Sequence, residues 1–131
     1  MLYMLSYVSF AVREYSLEEK DVMLKDFRAK NQRLGVTGLL VYERKMFCQF
    51  IEGEEATVRE LFEEIRIDKR HRLPNVCSET PIRQRAFPDW HMAFEGLTSV
   101  QNCSPAELPR PYRDVLRFAF VRKATRPSLS R

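Results

Sequence analysis

The order of periodicities along the chain constrains its fold more than any other feature. Leu2 to Ser9 is rich in aromatic and branched residues and reads as a strand, with Tyr3, Leu5 and Tyr7 on one face. Ser16 followed by Glu19 is a capping box opening a helix. Along that helix Leu17, Met23, Leu24, Phe27 and Asn31 fall within about a third of the circumference, so Asn31 is a polar residue ending an apolar stripe. The Gly35 region stops the helix, and Val36 to Tyr42 forms a second strand. A short turn leads into a third, Met46 to Ile51, which Gly53 ends. Phe47, Gln49 and Ile51 share one of its faces; Met46, Cys48 and Phe50 share the other. Val58, Leu61, Phe62 and Ile65 then recur at i, i+3, i+4, i+7, an amphipathic second helix. Pro74 to Ile82 and Asp89 to Glu95 read as two more strands, joined by the basic turn Arg83 to Pro88. The order βαββαββ predicts an α+β fold, a split βαβ arrangement in which both helices cover one face of a mixed sheet.

At 131 residues the chain is one domain, long enough to bury roughly 60% of its extended surface without metals or disulfides. Apolar residues at 44% and charged residues at 31% exclude a disordered, collagenous or coiled-coil chain. No apolar run approaches the roughly 18 residues of a membrane span. The start MLYMLSYVSF lacks a basic region and a small-residue cleavage site, so the expected location is cytoplasmic, with no membrane partner. Cys48, Cys77 and Cys103 fit neither a disulfide framework nor a metal knuckle and read as reduced thiols; no metal site is expected.

Net charge is +4, but residues 1–109 carry fifteen basic and seventeen acidic side chains, whereas residues 110–131 carry seven and one. A near-neutral body with a basic tail does not point to direct nucleic-acid binding. Composition changes after Gly96, which divides the chain into a body over 1–97 and a C-terminal extension over 98–131. Within the extension Tyr112 to Arg122 can form a short helix whose Val115, Leu116, Phe118 and Phe120 need cover, either on the sheet or on a second copy of the chain.

Two amides stand on apolar faces, Gln49 between Phe47 and Ile51, and Asn31 at the end of the first helix; Tyr7 adds a phenol on the inner face. A buried amide must find partners or cost about 1–3 kcal/mol. Each could bond nearby backbone; a planar heteroaromatic ligand with carbonyls and ring nitrogens would satisfy all three together. No Gly-rich phosphate loop, GxSxG or HExxH motif is present. The acidic cluster Glu52, Glu54 and Glu55 reads as capping the second helix, and the run Lys69 to Arg72 as complementing its far end, or alternatively as a clamp on a diphosphate.

The stretches LSYVS (5–9), RAKN (28–31), VTGLL (36–40), FCQFIEG (47–53), DKRH (68–71) and FPDWHM (87–92) resemble, in order and spacing, the BLUF family of blue-light sensors that use flavin adenine dinucleotide. The resemblance runs from about residue 2 to 97 and implies the ferredoxin-like fold, with FAD held non-covalently between the two helices. It implies that Tyr7 gives an electron and a proton to the excited flavin, and that Gln49 bridges Tyr7 and the ring and rearranges its hydrogen bonds. Asn31 would fix the polar edge of the ring, with Met23, Val36 and Ile65 packing on it. Arg28, Lys30, Arg70 and His71 would form the polar rim and phosphate contacts, and Trp90 and Met92 would relay the signal. Phe27 and Glu64 depart from the family pattern; a carboxylate at 64 would repel a ring carbonyl unless it is turned to solvent, which leaves that contact to Lys30. The implied protein is not an enzyme but a photoreceptor acting on an unidentified signalling protein, and a homo-oligomer. Two other readings use the same fold, an acylphosphatase-like enzyme, against which the glycine-free Ser9 to Tyr15 argues, and a flavin-free interaction module.

Overall fold

A computed structural model describes residues 1–43, 45–88, 93–95 and 110–116. Strands β1 (Leu2–Ala11), β2 (Thr37–Glu43), β3 (Met46–Glu54), β4 (His71–Pro81) and β5 (Ala93–Glu95) form one sheet in the order β4-β1-β3-β2-β5. The helices are α1 (Leu17–Leu34), α2 (Glu55–Arg66) and α3 (Arg110–Leu116). β3 runs antiparallel to β1 and β2, β4 antiparallel to β1, and β5 parallel to β2, so the sheet is mixed and the βαββαββ order holds. Of the strand expected over 89–95, only 93–95 falls within the described residues; Trp90 and Met92 lie outside them.

Local chemistry sets the helix ends. Glu19 N–H donates to Ser16 Oγ at 3.1 Å and Ser16 N–H to Glu19 Oε1 at 2.9 Å, the reciprocal capping box. Gly35 closes α1 at φ +70°, a left-handed conformation that a side chain would strain. Leu17 departs from the expected stripe: at 82% exposure it lies outside the core, and burial begins at Met23.

Several strand limits differ from the sequence reading. β1 continues to Ala11, and its pairing with His71 extends β4 three residues ahead of Pro74. Register shifts there, with Leu73 at φ +55°, absorb the proline on an edge strand, where a missing N–H is tolerated. β3 passes through Gly53, which pairs with Tyr3; a Cβ on Gly53 would stand 3.2 Å from Val36 Cγ2, so glycine serves close packing there, not termination.

Strand alternation splits the interior into two cores. On the helix-covered face, Tyr3, Leu5, Tyr7, Leu40, Phe47 and Ile51 meet Met23, Val58, Leu61 and Phe62. On the opposite face Met4, Leu39, Val41, Cys48 and Phe50 are covered by Phe87 and by Tyr112 and Val115 of α3. The described part of the extension, α3, thus lies on the chain's own sheet through Tyr112 and Val115, while Phe118 and Phe120 lie outside the described residues. The Phe50 and Tyr112 ring centroids lie 5.0 Å apart, and Phe50 is wholly buried.

Gly38 of β2 marks the tightest backbone approach, since a Cβ there would sit 1.9 Å from the Phe50 carbonyl oxygen. Backbone cannot swing aside as a flexible side chain can. Gly38→Ala is expected to lower stability by about 3 kcal/mol, read as a lower urea midpoint; an unchanged midpoint would show that the β2–β3 pair yields more readily than its register implies.

Candidate functional site

The site is organised around one cross-strand pair. Tyr7 of β1 and Gln49 of β3 are directly opposed in the ladder, and on the other side Gln49 opposes Leu40 of β2. The Tyr7 hydroxyl donates to Gln49 Oε1, and each side chain is only 4% exposed. Asn31, buried in the last turn of α1, is held by its backbone: its carbonyl accepts from Gly35 and Val36 N–H, the latter at 2.9 Å. The glycine stop that ends the helix thus also sets where the Asn31 amide stands.

These groups line a cavity of about 370 Å³ between α1, α2 and the sheet. Met23, Phe27, Leu40, Phe47, Leu61, Ile65 and Ile67 supply its apolar walls. Asp26, Lys30, Glu64, Asp68, Arg70 and His71 supply polar ones. His71 is oriented from both ring nitrogens: Nδ1 lies 2.7 Å from Ser9 Oγ, and Nε2 donates to the Ile65 carbonyl at 2.5 Å. That donation places the proton on Nε2. The His71 ring meets Tyr7 edge-on at 5.9 Å.

Two ion pairs border the cavity. Lys30 of α1 pairs with Glu64 of α2, so the carboxylate that departs from the family pattern is matched by the lysine expected to replace it. Arg70 pairs with Asp68 at 2.6 Å, and its guanidinium carbon stands 4.9 Å from the Phe27 ring centroid. Burial alone would raise the Asp68 carboxyl, but the hydrogen bonds from Arg70 outweigh it and hold the group below its ordinary value. Burial drives the Tyr7 phenol strongly upward, so it stays protonated at neutral pH. It does the same to the Cys48 thiol on the opposite face, which is consequently unreactive. Among the described residues no cluster of His, Cys, Asp and Glu could hold a metal ion, and no helix is long and apolar enough to cross a membrane.

The structure brings Tyr7, Met23, Lys30, Asn31, Gln49, Ile65, Arg70 and His71 to this cavity. Two expected residues do not line it. Val36 is wholly buried beside Gly53, in the core it shares with Val58. Arg28 projects outward, because one step of about 100° turns it off the stripe that carries Phe27 and Asn31. Leu40 and Phe47 escape the sequence reading as site residues, although the hairpin register and strand parity place both beside Gln49. The acidic cluster is also corrected. Glu52 caps nothing: it belongs to β3, points to the face opposite Gln49 and is wholly buried, while Glu54 meets the N-terminal ammonium.

Comparison with known proteins bears on this arrangement. The family model described as sensors of blue light using FAD matches residues 2–93. Photoactivated adenylate cyclase subunit beta of Euglena longa is 33% identical over 113 residues, covering 86% of this chain and 12% of that protein. The beta subunit of Euglena gracilis is 35% identical over 71 residues, 54% of this chain and 8% of that one. The chain thus spans about a tenth of the length of these relatives. Among solved structures, the dark state of BlrB, a BLUF protein, superposes with a TM-score of 0.72 at 32% identity, covering 80% of each chain. A manganese and cy-diGMP complex of Klebsiella pneumoniae BlrP1 superposes with a TM-score of 0.78 at 27% identity, over 96% of this chain and 34% of that one.

Burial of Tyr7 has a consequence for pH dependence. Its folded pKa lies above the unfolded value near 10, so the folded state keeps a proton that the unfolded state releases. The stabilisation is complete below about pH 10 and is lost as pH rises above it. Tyr7→Phe is expected to lose stability less steeply than the parent chain between about pH 9 and 11, as urea midpoints would show. Parallel slopes would mean that Tyr7 ionises freely within the fold.

Proposed function

The chain belongs to the BLUF family, sensors of blue light using FAD, and on that premise we propose that its cavity holds the flavin of FAD non-covalently, with Tyr7 and Gln49 as the photochemical pair. One observation carries this reading: the Tyr7 hydroxyl and the Gln49 amide are bonded to each other at the sheet side of a cavity large enough for a ligand. The lining suits a flat ring with one polar edge. Met23 and Ile65, from facing helices, would hold such a ring between them, and Asn31 and Gln49 would offer amide groups to its polar edge. Lys30, Arg70 and His71 form the polar rim nearer solvent, and Arg28 is left outside.

When bound, the flavin supplies a strong oxidant on absorbing blue light. The protein side chains direct the subsequent transfers. Tyr7 is the electron donor, and its phenolic proton already points at Gln49 Oε1. Gln49 can accept that proton because an amide offers a carbonyl on one side and an N–H on the other. When charge returns, Gln49 is left rotated or tautomerised, with its donor and acceptor exchanged relative to Tyr7. No covalent bond forms and no substrate is turned over. The tight cross-strand pairing of Tyr7 and Gln49 keeps the two groups within reach throughout.

The relatives named as photoactivated adenylate cyclases are much longer than this chain. We further assign the output to a signalling partner, or to a second copy of the chain, reached through Trp90 and Met92 and through the extension over 98–131.

The test is an absorption spectrum before and after blue light, with mass spectrometry of the released cofactor to identify FAD. The parent chain is expected to be yellow and to shift red on illumination. Tyr7→Phe and Gln49→Leu should retain flavin and lose the shift, while Asn31→Ala should reduce flavin occupancy. A colourless protein, or a normal shift in Tyr7→Phe, would remove the assigned photochemistry.

A further inference from the structure

Strand β3 carries a second buried polar side chain besides Gln49. Three residues along, Glu52 is wholly buried on the opposite face of the sheet. A carboxylate taken out of water must be stabilised by partners. No described basic side chain pairs with it: Arg85 bonds instead to the Glu52 carbonyl at 3.1 Å, to Thr37 Oγ1 and to the Gly35 carbonyl. The carboxylate is held by neutral donors. Oε1 accepts Phe87 N–H at 3.0 Å and, more weakly, the Thr37 hydroxyl at 3.4 Å. Oε2 accepts Ala86 N–H at 2.7 Å and the Tyr112 hydroxyl at 2.5 Å.

These partners connect distant parts of the chain. Tyr112 belongs to α3, Ala86 and Phe87 to the segment after β4, and Thr37 to β2. The Tyr112 and Phe87 rings also pack on Phe50, the residue between Gln49 and Ile51. Hydrogen bonds to an ionised acceptor are roughly twice as strong as neutral ones. Withdrawing any one donor leaves buried charge under-solvated, so the set holds together or releases together. Burial and the neighbouring carboxylate both push the Tyr112 phenol upward, which keeps it a donor.

We infer that Glu52 is a positioning residue, its buried carboxylate fixing α3 and residues 86–87 to strand β3, so that a rearrangement at Gln49 on one face of the strand reaches α3 on the other. This rests on the proposed photochemistry for its trigger, but the attachment itself does not require light.

Hydrogen exchange of residues 110–116 in the flavin-loaded full chain, in the dark and under blue light, tests both parts. In the parent chain α3 exchange should accelerate on illumination. Tyr112→Phe removes one hydroxyl and keeps the ring. It should leave the flavin red shift intact, accelerate dark exchange of α3 about tenfold or more, and abolish most of the light-dependent change. Glu52→Gln should act in the same direction. Asp114→Asn, which removes only the exposed pair with Arg110, should change neither. The inference is overturned if Tyr112→Phe and Glu52→Gln keep parental α3 exchange in dark and light, if Asp114→Asn loosens α3 equally, or if Tyr112→Phe loses the red shift. A parent chain without any spectral response defeats the photochemical reading and the relay; the attachment is still judged by dark exchange in Tyr112→Phe.

Discussion

The antiparallel register of β1 against β3 is the constraint on which the rest of the structure depends. It sets Leu5 opposite Ile51 and Tyr7 opposite Gln49 on the helix-covered face, and Ser6 opposite Phe50 and Val8 opposite Cys48 on the other. Because both faces are buried, a slip of one residue would turn every one of these side chains to the wrong side. The phenol and the amide meet because two strands distant in sequence are locked by apolar residues at neighbouring positions. The chemistry of the site borrows its precision from the core.

Much of this was legible in the sequence, for identifiable reasons. Period-two and period-3.6 patterns are local, so the element order, the capping box at Ser16 and Glu19, the Gly35 stop and the faces of β3 could all be read. Two amides on apolar faces advertised a polar site before any geometry was known. Contacts that depend on non-local register were not legible. Nothing near Pro74 reveals that β4 begins at His71, because the residues that extend it are at the end of β1. Val36 looked like a ring contact by its position in a motif, yet it packs beside Gly53 and Val58 in a three-dimensional neighbourhood that the motif does not encode.

Glu52 shows a different kind of shortfall. Strand parity alone places it on the face of Phe50, away from α1 and α2, but its proximity to Glu54 and Glu55 invites reading all three as one acidic cluster at a helix start. Only the donors that converge on it, Ala86, Phe87 and Tyr112, distinguish a buried anion from a surface one. Charge in a sequence has no meaning until its solvent is known, and here the solvent is protein.

The cavity itself follows from competing demands on α1 and α2. Empty apolar space costs roughly 24 cal/mol per Å³, so a sealed void of about 370 Å³ would consume stability on the scale of the whole domain. The helices nevertheless stand apart where Met23, Phe27, Leu61 and Ile65 face the gap, while Val58 packs fully. Such an opening persists only where water or a ligand occupies it, and the polar groups at its border, Lys30 with Glu64 and Arg70 with Asp68, admit both. A flat aromatic ligand seated there would supply the contacts that the side chains lack, and binding to the folded state alone would add to its stability. By this argument such a ligand would be part of the hydrophobic core on one face of β3, just as α3 is part of the core on the other. A sensor arranged in this way needs no lever: strand β3 is the wall that the two cores share.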